Sequence, residues 1–434
     1  MSIYDKATLV QIPSGYKASG AKLYSVLPAN GDGDFTVSAD ADATRVNSDG
    51  LIESTAANQA RLSRNFIDGV VQPDPFLLLE PSRTNVITRS EEFNLWGDTG
   101  VTVTANDTIA PTGAQTADLL TSSANNWRRS FVYGVSNGTV YSFSCFVKKH
   151  TTTDNIRFEL YRGANASNLD FEFSTETLSA SDANLTNLKV ENYPNDWYRV
   201  SCKFTANGTS AIVYAYPSQG YGSSGSAYYW GAQVEAGSYA TSYIPTSGSS
   251  VTRTADTCKK INFADMPTDY PFTAFWQGRI DDYDSSGFTS QVPFSLAATG
   301  TFNCYFGLNF YSTSQLTLRR RNDSDNSVFV SFTSDKDTTY KIAICFISAT
   351  ATKIYINGTE VLDSTSLTSV PYIGADTPDS VLIGQLRDNT DTGKRNSCDQ
   401  FILFNEALSN SELETITSYD SFGQMAKALL YTIE

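Results

Sequence analysis

Histidine is almost missing from this chain: His150 is the single one in 434 residues. A Ser-His-Asp triad, a Cys-His dyad or a His-rich metal site would each have to use it. It sits in Lys148-Lys149-His150-Thr151-Thr152-Thr153-Asp154-Asn155, whose composition is that of a solvated turn. Cysteine occurs six times, at 145, 202, 258, 304, 345 and 398, with no two closer than 41 residues, so neither a zinc site nor a CxxC redox motif is legible. Cys145 and Cys202 fall inside apolar runs and read as small buried hydrophobes. Charge is scarce too: charged residues make up 18% of the chain, with 31 Lys plus Arg against 46 Asp plus Glu and a net charge of −15. The acidic residues are scattered, which disfavours nucleic acid or an anionic membrane surface as a partner. No window reaches the roughly 18 apolar residues of a membrane span. Met1-Ser2-Ile3-Tyr4-Asp5-Lys6 has no basic-then-apolar leader pattern, so a soluble chain made in the cytoplasm and not inserted in a membrane is expected.

What is abundant is aromatic: 25 Phe and 24 Tyr, in a chain poor in Lys and Glu, which is not the composition of a helical or disordered protein. The apolar period is two. Val140-Tyr141-Ser142-Phe143-Ser144-Cys145-Phe146-Val147, Ile156-Arg157-Phe158-Glu159-Leu160, Trp197-Tyr198-Arg199-Val200-Ser201-Cys202-Lys203-Phe204 and Lys353-Ile354-Tyr355-Ile356 are short aromatic or β-branched runs. Asn137-Gly138, Asn207-Gly208 and Asn357-Gly358 punctuate them as hairpin turns would, because a type I′ turn needs two residues at positive φ. The expected class is all-β, two antiparallel sandwiches after an extended N-terminal segment. Helix is expected in two places only: after Ser409, with Glu412 three residues on as a capping box requires, and from Gly423 to Leu430.

Composition divides the chain into four parts. Residues 1–85 carry weak alternation and one apolar cluster bounded by prolines, Pro75-Phe76-Leu77-Leu78-Leu79-Glu80-Pro81, and read as a non-autonomous attachment or assembly segment. Residues 86–250 form a strand-rich block ending in Thr246-Ser247-Gly248-Ser249-Ser250, a flexible-linker composition. Residues 251–418 form a second block of similar size, and 419–434 a C-terminal tail.

Four phrases are more specific. Pro13-Ser14-Gly15-Tyr16-Lys17, Ala43-Thr44-Arg45-Val46-Asn47-Ser48-Asp49-Gly50-Leu51-Ile52-Glu53, Leu77-Leu78-Leu79-Glu80-Pro81-Ser82-Arg83-Thr84-Asn85 and the run from Trp230-Gly231-Ala232-Gln233-Val234-Glu235 to Tyr243-Ile244-Pro245-Thr246 resemble a family of tailed-bacteriophage virion appendage proteins, of tail-fibre, tail-spike or head-fibre type. The resemblance spans about the first 255 residues. It implies that 86–250 is a jelly roll similar to a carbohydrate-binding module. The second block resembles a concanavalin A-like, laminin-G-type sandwich, through the strand, turn and strand of Lys353–Val361, the strand Val381-Leu382-Ile383-Gly384 and the strand-then-helix of Asp399–Ser409.

Glycoside hydrolysis needs two carboxylates roughly 5–5.5 or 6.5–9.5 Å apart, and the Glu-x-Asp-x-x-Glu or Glu-x-Asp-x-Glu strings of concanavalin-like glucanases do not occur here. Asp170 and Glu172 share one strand face opposite Phe171 and Phe173, which is the ordinary polar face of a surface strand. Asp281, Asp282 and Asp284 run into Ser285-Ser286-Gly287 and read as a loop, with calcium as a possible ligand through hard oxygens. Exposed aromatic faces suit sugar C–H surfaces; Tyr216 and Tyr221 flank a Gly/Ser-rich loop that can present them, whereas Trp230 packs in the core with Tyr228 on its face. Arg319-Arg320-Arg321 reads as a strand end neutralised by Asn322-Asp323-Ser324-Asp325.

The expected function is that of a non-enzymatic virion fibre that binds host cell-surface glycan. The loops around Asp281 to Asp284 and around Asp388, Asn389 and Asp391, with Tyr216 and Tyr221, are the expected contacts. The resemblance implies a homotrimer joined to other virion proteins through the N-terminal segment, on the virion after synthesis in the host cytoplasm. The alternatives are a virion-associated depolymerase and a head decoration protein without ligand.

Overall fold

The computed structural model describes residues 3–12, 23–24, 35–123, 128–150, 154–218, 224–280, 291–300, 304–312, 315–322, 324–335, 337–370, 372, 376–386 and 395–419. Among them the architecture is all-β, two antiparallel sandwiches with one short helix. No described helix is long and apolar enough to cross a membrane.

The first sandwich packs two six-stranded sheets. One runs in the order Gly97–Thr99, Arg128–Gly134, Ser210–Tyr216, Asn155–Tyr161, Ala166–Glu172, Thr177–Ala180. The other runs Val101–Ile109, Gln115–Ser122, Gly225–Ala236, Val140–Lys149, Trp197–Thr205, Thr186–Tyr193. The period-two pattern aims one set of side chains between the sheets: Ile156, Phe158 and Leu160 from one, Phe143, Cys145 and Val147 from the other, in one buried cluster. The outer face of the second sheet is also covered, since Phe146, Trp197 and Trp230 pack there with Ile52 and Tyr243. Trp230 is buried, and Tyr228 packs beside it, as the alternation requires.

The second sandwich draws on the N-terminal segment as well as on the residues after 250. Its larger sheet pairs Ala7–Gln11 and Phe76–Leu79 with Asn396–Phe404, which continues through Phe272–Ile280, Thr338–Ser348, Ala351–Ile356 and Thr359–Ser364. Its smaller sheet ends on Thr36–Ser38, paired with Thr257–Lys260. Residues 1–85 thus supply strands that pair with partners about 220 to 400 residues downstream, and Leu77 and Leu79 of the proline-bounded cluster lie in the core of that sandwich. The segment 246–250 is shorter as a connection than its composition suggests. Thr246 is buried on Ser90, and Val251–Arg253 pairs at once with Arg83–Asn85.

Of the Asn-Gly pairs, Asn357-Gly358 alone closes a two-residue hairpin, with φ of 48° and 81°. Asn137-Gly138 and Asn207-Gly208 instead lie where the chain crosses from one sheet of the first sandwich to the other, and neither asparagine has positive φ. The helix Asn410–Ser418 carries the reciprocal capping box of Ser409 and Glu412. The expected helix Gly423–Leu430 lies outside the described residues. The arginine triplet lies near the end of the strand Gln315–Asn322, and Arg320 is fully buried, donating to the carbonyls of Ala349 (3.0 Å) and Thr368 (2.7 Å). The side chains of residues 323–326, expected to neutralise the triplet, lie outside the described ones. Burial pulls the Arg320 guanidinium below its ordinary pKa.

Candidate functional site

Three of the four phrases that carry the resemblance meet at one buried polar junction between the sandwiches; the fourth, Pro13 to Lys17, lies outside the described residues. Glu80 accepts from Arg61 Nη1 (2.8 Å), Ser242 N (2.9 Å) and Ser242 Oγ (2.6 Å) and forms an ion pair with Arg253 Nη1 (2.9 Å), while Arg61 also pairs with Asp256 and donates to the Thr44 carbonyl (3.0 Å). Thr44 in turn donates to the carbonyl of Tyr243, and Asn85 clamps Ile244 O (2.9 Å) and Val234 N (3.1 Å). Within the closing phrase, Glu235 takes both the backbone N–H (2.6 Å) and the hydroxyl (2.7 Å) of Thr241, and Gln233 accepts from Ile244 N (2.7 Å). Burial alone would push the Glu80 carboxyl up. The guanidiniums of Arg253, Arg61 and Arg395 more than reverse this and hold it well below the usual carboxylate range. These buried charges are paired with one another, and the network ties the two sandwiches together.

Of the sequence-derived candidates, Tyr221, Asp281, Asp282, Asp284, Asp388, Asn389 and Asp391 lie outside the described residues. Tyr216 is described, and its side chain is packed rather than presented: the residue is 6% exposed. Its hydroxyl accepts from Arg128 Nη1 (2.7 Å) and donates to Glu159 Oε2 (2.7 Å). Burial first, then the bond to Glu159, pushes the Tyr216 hydroxyl well above its ordinary pKa. Among the described residues no group of three or more His, Cys, Asp or Glu side chains is placed to hold a metal ion.

Tyr216 nevertheless marks a surface. The outer face of the first sheet of the first sandwich is polar over two rows and apolar over a third, and the register sets these rows across the strands. Ser130, Tyr214, Glu159 and Asn168 are neighbours, flanked on one side by Tyr216, Arg157, Asp170 and Ser179. On the other side lie Val132, Ile212, Tyr161 and Ala166. Successive rows are about 6.6–7 Å apart, two residues along each strand. The row members are held by one another. Arg157 binds Asp170 through two bonds of 2.6 and 2.9 Å, and the Arg128 guanidinium lies 4.0 Å from the centroid of the Tyr214 ring. Asp170 is thus committed to a fork, and Glu172 accepts from Ser174 (3.0 Å).

Sequence reasoning singled out Tyr216, within the aromatic run from Tyr214 to Trp230, but not Tyr161, Arg128 or Glu159 on the same face. The signal was present in the alternation of Asn155–Tyr161, but only strand order shows that 128, 157, 159, 170, 214 and 216 share a face.

No family model matches this chain, and no curated protein does. Solved structures with partial likeness include the NanB sialidase from Streptococcus pneumoniae as a mutant, 19% identical over 34% of this chain and 24% of that one, with a TM-score of 0.28. Another is the CBM40 of the Ruminococcus gnavus IT-sialidase bound to alpha2,3 sialyllactose, 17% identical over 36% of this chain and 86% of that one, at 0.30. A third is domain 4 of AbnA, an extracellular arabinanase from Geobacillus stearothermophilus in complex with arabinotriose, 11% identical over 38% and 73%, also at 0.30. This chain spans about a quarter of the length of the NanB sialidase. Likenesses at these identities and TM-scores carry no inference about what this chain binds.

Proposed function

We propose that this chain is a non-enzymatic adhesive protein of a bacteriophage particle, an appendage that binds host surface glycan on the outer sheet face of its first sandwich. The observation that carries the glycan reading is that face itself. Tyr161 and Tyr214 stand among Arg128, Glu159, Asn168 and Asp170, side chains that both donate to and accept from hydroxyls and are pre-ordered by their own bonds. The reverse face of the other sheet is filled by Trp197, Trp230 and Tyr243, so this outer face is the one the first sandwich leaves open. The virion assignment rests on the four phrases of the N-terminal 255 residues. In this reading the loops holding Tyr221, Asp281 to Asp284 and Asp388 to Asp391 form a second contact, with calcium as the ion their carboxylates would take.

Each hydrogen bond to a sugar contributes only about 0.5–1.5 kcal/mol net, so single-site affinity is weak and adhesion comes from many copies. The test is a glycan array printed at high density and probed with the full chain and with Tyr214→Ala. Retention on surface glycans by the full chain and its loss in the variant support the proposal. Equal retention by both removes the face from it, and release of new reducing ends from host polysaccharide makes the chain a depolymerase. Particle adsorption with Asp281, Asp282 and Asp284 changed to Ala tests the loop contact; unchanged adsorption removes it.

A further inference from the structure

A cavity of about 370 Å³ lies where the two sandwiches and the N-terminal segment meet. Its walls carry six cations, Arg45, Arg64, Lys189, Arg199, Arg279 and Arg395, against three carboxylates, Asp68, Glu191 and Asp337. In a chain of net charge −15 this is a local excess of positive charge, reduced but not cancelled by Glu53 and Glu80, which pair with Arg45 and Arg395. We infer that this cavity is a second binding site, distinct from the open sheet face, and that it takes a carboxylate carried on a polyhydroxylated ring, a uronic-acid-type saccharide.

The cations are held in place by the fold. Arg45 forks onto Glu53 (2.9 and 2.7 Å), Arg199 donates to Ser144 Oγ (3.0 Å) and Thr241 O (2.7 Å), and Lys189 bridges Glu191 (3.5 Å) and Asp337 (2.9 Å). Such pre-ordering removes much of the entropy that binding would otherwise cost. Their joint field is visible on Glu191. Burial alone would raise its carboxyl, yet Lys189, Arg199, Arg395 and Arg279 bring it down to about 2. Guanidinium forks match a carboxylate in geometry. The lining is not one for a bare inorganic anion, because Glu191, Asp68, Asp337 and the amide of Asn65 also offer acceptors, and these need donor hydroxyls on the ligand. Phe66 and Tyr193, ring centroids 4.5 Å apart, supply an apolar patch for the ring. The volume lies within the usual range of small-ligand pockets, roughly 300–1,000 Å³.

The full chain is titrated calorimetrically with D-glucuronate, with a uronic acid trisaccharide, with D-glucose and with inorganic phosphate. Glucuronate or the trisaccharide should bind and glucose should not, with affinity falling as salt rises. The monosaccharide binding alone identifies a free sugar acid, and the trisaccharide binding more tightly identifies a polysaccharide chain end. Arg279→Gln with Arg395→Gln should weaken binding about tenfold or more, roughly 1.4 kcal/mol. Asp68→Asn, at an exposed position with φ of 48° that Asn tolerates, should tighten it without touching the core. Tyr214→Ala should leave it unchanged, which separates this site from the open face. Phosphate binding more tightly than glucuronate, glucose binding as well as glucuronate, or Asp68→Asn failing to tighten binding each overturns the assignment.

Discussion

Arg61 and Glu80, both with fully buried side chains, show how much of this fold depends on single charges. Removing one partner leaves the other buried and uncompensated, so Arg61→Met or Glu80→Gln is expected to cost about 3–5 kcal/mol, read as a drop in chemical-denaturation midpoint. A change within 0.5 kcal/mol would contradict the junction's role. Glu191 gives a pH signature with a definite sign. Its folded pKa, about 2, lies below the ordinary 4.5, so the stability it contributes is complete above about 4.5 and is lost as pH falls from there toward 2. Glu191→Gln should therefore flatten the melting temperature against pH across that window, and an unchanged slope would refute it. At this scale the sequence was partly legible. The burial of Cys145, Cys202 and Trp230 follows from their apolar alternation. That of Arg320 does not, because its acceptors, Ala349 O and Thr368 O, are 29 and 48 residues away.

Strands were readable from alternation and the helix from its cap, because both signals are local. Turn identity was not, since an Asn-Gly pair between two strands looks the same whether those strands pair or lie in opposite sheets. The closing phrase shows a subtler element. Gly231, at φ 63°, makes a bulge in Gly225–Ala236, so that Ala227 and Tyr229 face the core before it and Ala232 and Val234 after it. A Cβ there would lie 3.0 Å from the Phe146 ring and 3.2 Å from that of Tyr243. Gly231→Ala should cost about 1–2 kcal/mol for the left-handed backbone alone, with crowding added. A thermal melt equal to that of the unchanged chain would show that the bulge is not required. The candidate face was hidden for the related reason that Arg128, Arg157 and Tyr216 become neighbours only through sheet order.

At the scale of the molecule, the N-terminal segment is structural. Ala7–Gln11, Thr36–Ser38 and Phe76–Leu79 complete both sheets of the second sandwich, and the Arg61 junction ties them to the first. A chain beginning at residue 86 should keep a folded first sandwich and lose the second to proteolysis; protease resistance of both would overturn this. Such pairings over hundreds of residues leave no trace in local sequence pattern, which is why these residues read as an attachment segment. The proposed trimer is checked by light scattering, where a mass near the 47.4 kDa of one chain at micromolar concentration would count against it. The glycan face is tested most directly by hydrogen exchange of the full chain, with and without a saturating host-surface oligosaccharide. The account predicts slowed exchange in Asn155–Tyr161 and Ser210–Tyr216, the strands that carry Glu159 and Tyr214. Protection confined to other segments, with these two strands unchanged, would contradict it.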